Sequence, residues 1–230
     1  MWVGMFEGSS VHSSHEPVWS LYTVLEFLSS HRFNNPSFYV LAHKYVFLLV
    51  QATGDKVSEL HSYLRDSIHV IFGEDRKAVK IVPNAAFTAK NELPTQRRKP
   101  FVLPSLRARG RPSPVCPVQT LYAYIKSARA FPSDFLFVNP RSGKRCSKFT
   151  IGQMIKRTVR WACPNSFPRP HDLRKISVSK AYFSSMSIDS IKKRATWRSA
   201  NVFARHYLSR SMKSRRSCVA LRARLGPSFL

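Results

Sequence analysis

Pro170-His171-Asp172-Leu173-Arg174-Lys175 is the stretch that decides how the rest of the chain is read. His171 and Arg174 stand three residues apart, which on a helix places them on one face, here close to its N-terminus. Free N–H groups, the helix dipole, a forked guanidinium and an imidazole would converge there, a combination suited to a phosphate. Alone, H-x-x-R is a common helix-surface pattern. It gains weight from three other segments: Ala52-Thr53-Gly54-Asp55-Lys56-Val57-Ser58-Glu59-Leu60 before it, and Ala195-Thr196-Trp197-Arg198-Ser199 and Arg205-His206-Tyr207-Leu208 after it.

The charge balance points to the same kind of ligand. Among 230 residues there are 38 Lys+Arg against 12 Asp+Glu, a formal net charge of +26. Such a charge opposes compaction unless a polyanion neutralises it, and nucleic acid is the usual one, with a membrane surface second. Hydrophobic residues make up 43% of the chain, enough for a core, so a wholly disordered basic tail is excluded. The four cysteines, Cys116, Cys146, Cys163 and Cys218, form no CxxC pair. Neither a zinc ribbon nor a disulfide framework is supported, and the chain reads as reduced and intracellular. MWVGMFEG is too short for a signal peptide, and Tyr45 to Val50 is too short to span a bilayer, so no membrane association is expected.

The pattern along the chain is helical with one extended interruption. Trp19, Leu21, Tyr22, Leu25, Phe27 and Leu28 fit one face of a short helix, and Asn34-Asn35-Pro36 breaks it. FYVLAHKYVFLLVQAT, residues 38–53, is apolar nearly all round and predicts a buried helix ended by Gly54. Another helix starts near Val57. Residues 66–103 alternate as strands do: Ile68, Val70 and Phe72, then Val79 and Ile81, with Gly73-Glu74-Asp75 as the turn. FTAK and RRKPFVLP predict a further strand and an extended exit, followed by a Gly/Pro-rich link. Helices are expected again over 118–130, 148–162 and from His171 to about Ser185, with short ones at 189–194 and 200–207. Phe135-Leu136-Phe137-Val138 is a short apolar run, and Asn139 to Lys144 a turn. The fold class expected is α+β: a mostly helical domain over 17–210 with a small antiparallel sheet, a flexible segment at 1–16 and a basic tail at 211–230.

Taken in order, these segments resemble the catalytic domain of the tyrosine recombinases, the phage-integrase-like enzymes. Residues 52–60 look like that family's first box, usually A-T-G-x-R-x-S-E-L. A β-hairpin follows, then H-x-x-R at 171–174, then Trp197 in the place of the third box's His or Trp, and Tyr207 as the terminal nucleophile. The wording of FVNPRSGK, PHDLRK and ATWRSANVFARHYL is most like recombinases of the DIRS-like and Crypton-like mobile elements.

The resemblance implies site-specific recombination of double-stranded DNA through a 3′-phosphotyrosine link, without metal or other cofactor. Tyr207 would attack the phosphodiester, and Arg174 would clamp its nonbridging oxygens. His171 would donate to the phosphate or assist proton transfer from Tyr207. The indole N–H of Trp197 would add a donor. A hairpin lysine would protonate the leaving 5′-oxygen: Lys90 is the choice, with Lys80 and Lys77 as alternatives. Arg97, Arg98, Lys99, Lys175 and Arg198 would contact DNA, and the family's assembly is a tetramer on two synapsed duplexes. Such an enzyme would be nuclear in a eukaryote and cytoplasmic otherwise.

Two departures stand out. Lys56 occupies the first-box arginine position, keeping the charge but losing the planar fork. Asp55 beside it adds a negative charge near the phosphate pocket. An N-terminal clamp domain, usual in the family, has no counterpart in the first 16 residues, so either that domain is missing or the chain is a fragment. The competing expectation is therefore a decayed copy that binds DNA without cutting it. His12-x-x-His15 reads as a solvated segment and Gly143-Lys144 as part of a turn.

Overall fold

Ser37 caps the helix on which the others pack: its Oγ accepts from the Val40 N–H at 3.4 Å. That helix, α2 (Phe38–Thr53), stops at Gly54, whose N–H donates to Val50 O at 2.8 Å. The computed structural model describes residues 19–30, 36–89, 97–183 and 187. From Leu41 to Val50 every α2 side chain is buried, as an all-round apolar helix requires. The other helices are α1 (Leu21–Ser29), α3 (Val57–Ser62), α4 (Pro117–Ala128), α5 (Lys148–Ala162) and α6 (Pro170–Phe183). Helices α4, α5 and α6 enclose α2, while α1 and α3 lie on α5. Pro117 and Pro170 open α4 and α6, where a missing N–H costs no hydrogen bond.

Strands β1 (Val70–Phe72), β2 (Ala78–Ile81) and β3 (Phe101–Pro104) form an antiparallel sheet in sequence order. Val79 pairs with Phe72 on one side and Leu103 on the other, and this face meets the core. The opposite face carries Ile71, Lys80 and Val102 in one cross-strand row, all exposed. The class is α+β, as expected.

Two details differ from the sequence expectation. FTAK forms no strand over residues 87–89: Pro83 ends the ladder and Asn84 turns the chain, its side chain accepting from the Ala86 N–H at 2.9 Å. Within the Gly/Pro-rich link lies a two-stranded hairpin, β4 (Arg107–Ala108) and β5 (Arg111–Pro112). Its turn has positive φ at both Arg109 (51°) and Gly110 (77°), the combination that matches the twist of paired strands. The short apolar run at 135–138 makes single bridges, Leu64 to Phe135 and Val138 to Arg145. The short helices expected at 189–194 and 200–207, and both terminal segments, lie outside the described residues.

One buried cation ties α1 to α2. Lys44 Nζ donates to Leu28 O at 2.9 Å, near the α1 C-terminus. Burial pushes its pKa down from 10.5 to about 8. The unfolded chain therefore binds more protons between those values, and stability rises with pH through that window. The melting temperature is expected to rise from pH 8 to 10, and to rise less in Lys44→Met. An equal rise in both proteins refutes this assignment.

Among the described residues no helix is long and apolar enough to cross a membrane.

Candidate active site

The box at 52–60 is the turn that joins α2 to α3. Thr53 Oγ1 donates to Leu49 O at 2.8 Å and accepts from the Asp55 N–H at 3.2 Å, which closes the helix end. Gly54 adopts φ 67°, in the left-handed region that glycine enters without penalty. A Cβ there would also lie 3.1 Å from Val178 Cγ2 of α6. Glycine is thus required twice, by the backbone and by the approach of the next helix. Lys56 caps α3, and Glu59 reaches back so that its Oε2 accepts from the Lys56 N–H at 2.5 Å. That bond is one half of a capping box.

Helix α6 delivers Arg174 to this turn. In its first turn, Asp172 Oδ2 accepts from the Arg169 N–H at 2.8 Å, which sets the entry of the chain. Arg174 Nη1 donates to Gly54 O at 2.5 Å and lies 3.5 Å from Glu59 Oε2. The Arg174 and Glu59 side chains are each 2% exposed. Charges so enclosed are stable only when paired and hydrogen-bonded, and this pair is both. A guanidinium carries five donors, so one edge can hold the turn while another serves a ligand.

Asp55 anchors a second guanidinium. Its Oδ2 accepts from Tyr63 Oη at 2.6 Å, and its Oδ1 accepts from Arg98 Nη2. Burial opposes the Arg98 charge, but Asp55, Tyr63 and Glu59 outweigh it and hold the guanidinium pKa above its ordinary value. Three successive residues of the turn thus each fix one charged side chain: Gly54 fixes Arg174, Asp55 fixes Arg98, and Lys56 fixes Glu59.

The other site residues named from sequence differ in burial. Lys56 is half-buried at the turn, and His171 is exposed on the first turn of α6. Of the cationic run 97–99, Arg97 and Lys99 are exposed while the Arg98 side chain is turned inward and 7% exposed. Lys175 is buried, not on the surface. Lys80 is exposed on the outer sheet face, and Lys77 is exposed 3.4 Å from Asp75. Lys90, Trp197, Arg198 and Tyr207 lie outside the described residues. Sequence reading gave no role to Glu59, Tyr63 or the Gly54 carbonyl. Glu59 had a signal, the fourth position of a capping pattern that begins at Lys56. Among the described residues no three His, Cys, Asp or Glu side chains group as metal ligands.

This architecture recurs in solved structures. The XerA recombinase matches 91% of the chain at 17% identity, with a TM-score of 0.58. XerH, a site-specific recombinase bound to its difH substrate in a pre-cleavage complex, matches 87% at 13% identity and 0.60. The Tn1549 transposon integrase in complex with transposon right-end DNA matches 92% at 14% identity and 0.56. The fold is that of the tyrosine recombinases. This chain spans 65% of the XerA chain and 52% of the XerH chain. No protein-family model and no curated protein matches the sequence.

Proposed function

We propose that this protein cuts and rejoins double-stranded DNA at specific sites through a covalent tyrosine intermediate. One observation carries the reading. The two boxes that resemble recombinase motifs, 120 residues apart in sequence, meet through the Arg174 to Gly54 bond inside a recombinase fold. A structural arginine needs no such company. Two similar structures point to the substrate class: XerH holds a DNA substrate before cleavage, and the Tn1549 integrase holds transposon-end DNA.

In this reading the Tyr207 hydroxyl attacks a phosphodiester phosphorus. A P–O bond forms to the tyrosine, the bond to the 5′-oxygen breaks, and a 3′-phosphotyrosine link remains. The phenol loses its proton with help from His171, and Lys90 returns one to the departing 5′-oxygen. Attack by a 5′-hydroxyl reverses the sequence and joins a strand, so neither water nor a metal is consumed. Free tyrosine has a pKa near ~10 and is a weak nucleophile at neutral pH, so the rate depends on donors aimed at the phosphate. Arg174, Lys56 and the Trp197 N–H are those donors. Arg97, Lys99 and Arg198 follow the DNA backbone, whereas the buried Lys175 does not reach it. The working form is a tetramer on two synapsed duplexes, and the motif wording resembles that of the DIRS-like and Crypton-like mobile-element recombinases.

The second reading is a DNA-binding remnant that no longer cuts, and Lys56 in the arginine position favours it. Covalent trapping separates the two. The chain is mixed with nicked suicide duplexes and run on a denaturing gel beside Tyr207→Phe. Strand cleavage requires a shifted protein–DNA band that is lost in the Phe variant. Tight duplex binding with no band, in the wild type and in Lys56→Arg alike, leaves only the remnant.

A further inference from the structure

Asp55 is an unexpected group to find one residue from a phosphate clamp. It is 3% exposed, and a carboxylate so placed would repel a phosphate brought to Lys56 and Arg174. The structure supplies its counter-charge from elsewhere in the chain. Arg98 comes in 43 residues later, on the segment leading into β3. Its guanidinium carbon lies 5.4 Å from the ring centre of Tyr63 and 5.7 Å from that of Phe101. Tyr63 in turn donates to the same carboxylate. A cation enclosed between two rings and a carboxylate is held in place and kept from solvent. Its neighbours Arg97 and Lys99 are exposed, so only the middle cation of the run is committed to the interior.

We propose that Arg98 is a positioning residue for the site: by cancelling the charge of Asp55 and fixing the turn at 54–56, it lets a phosphate meet Arg174 and Lys56 without an opposing carboxylate. The proposal rests on the reading of this turn as a DNA-phosphate pocket. Arg98 itself is assigned to Asp55 and not to the phosphate, because that carboxylate and the rings of Tyr63 and Phe101 engage its guanidinium. The consequence is a specific form of coupling. Removing Arg98 exposes the pocket to Asp55, and removing the Asp55 charge as well cures the defect. A residue that contacted DNA directly would show no such cure.

The test measures binding of a duplex oligonucleotide by fluorescence anisotropy over a salt series, for the wild type, Arg98→Met and Asp55→Asn/Arg98→Met. Arg98→Met is expected to bind about tenfold more weakly. The double variant is expected within about threefold of the wild type, with the same slope of log affinity against log salt. Should Arg98→Met fail to fold because the buried Asp55 loses its counter-charge, the double variant, checked by its melt, carries the test. A folded double variant that binds as weakly as the single, with its salt slope smaller by about one, identifies Arg98 as a phosphate contact and overturns the proposal. Wild-type affinity in Arg98→Met overturns it as well. Strand cleavage is scored separately: no covalent adduct from the wild type or from Lys56→Arg, with the expected affinity pattern, sinks the recombination reading and leaves Arg98 in its positioning role. A wild type that does not bind duplex DNA overturns both.

Discussion

Replacing Arg174 by lysine is expected to lower the rate of covalent adduct formation by ~10²–10³-fold, the usual effect of removing one preorganised donor from an oxyanion site. The chain remains folded. Lysine keeps a positive charge 2% exposed beside Glu59, so no buried carboxylate is left alone. What it loses is the fork. Arg174 holds Gly54 O with one nitrogen and has further donors for a phosphate, whereas an ammonium at the end of a flexible stem cannot keep both in a fixed geometry. Arg174→Ala is a harsher change. It strands Glu59 in the interior, which costs about 3–5 kcal/mol, and a chain of this size tolerates little of that. The two variants therefore separate: lysine yields a folded protein that binds DNA but reacts slowly, and alanine a lowered melting temperature. Adduct formation in Arg174→Lys at the wild-type rate would remove Arg174 from the chemistry.

Lys56→Arg acts in the opposite direction. It is expected to raise the adduct rate by ~10²-fold, because a planar bidentate donor replaces a point charge at a phosphate oxygen. The position can take it. Lys56 is half-buried at the N-terminus of α3, and its backbone, not its side chain, carries the bond to Glu59. The turn is held by Gly54, Asp55 and Glu59, so the longer side chain need not rebuild it. DNA affinity should change little, since the net charge is the same and backbone contacts follow charge. A gain in affinity without a gain in rate would mean that residue 56 touches DNA away from the reacting phosphate. Measuring both constants on one nicked duplex distinguishes these outcomes.

How the site is built explains which parts of it were legible in the sequence. Helix α2 was readable from its apolar run of one helix length and the glycine that ends it, while the Ser37 cap came only with the structure. Helix α5 was equally plain, its apolar positions recurring at 151, 154, 155 and 159. The sheet was legible as alternation, but its third strand was not FTAK: pairing with β2 went to residues 101–104, a choice made by a proline and an asparagine near residue 83. The three-residue cationic run hid a distinction that only pairing could make. In an extended chain, successive side chains point to opposite sides, so a lead-in to β3 can show Arg97 and Lys99 to solvent and turn Arg98 inward. Nothing near residue 98 indicates that its partner is Asp55. The same holds for Arg174 and Gly54, whose union depends on how α6 packs on α2. Motif order anticipated that meeting because the resemblance, not the local pattern, carried it.

The most direct test of the central claim is the identity of the residue that becomes linked to DNA. Adduct formed on a suicide duplex is digested with protease and nuclease, and the nucleotide-bearing peptide is sequenced by mass spectrometry. The expected result is a 3′-phosphonucleotide on Tyr207, within the sequence Ala204-Arg205-His206-Tyr207-Leu208. A link to any other residue, or an adduct that persists in Tyr207→Phe, would contradict it.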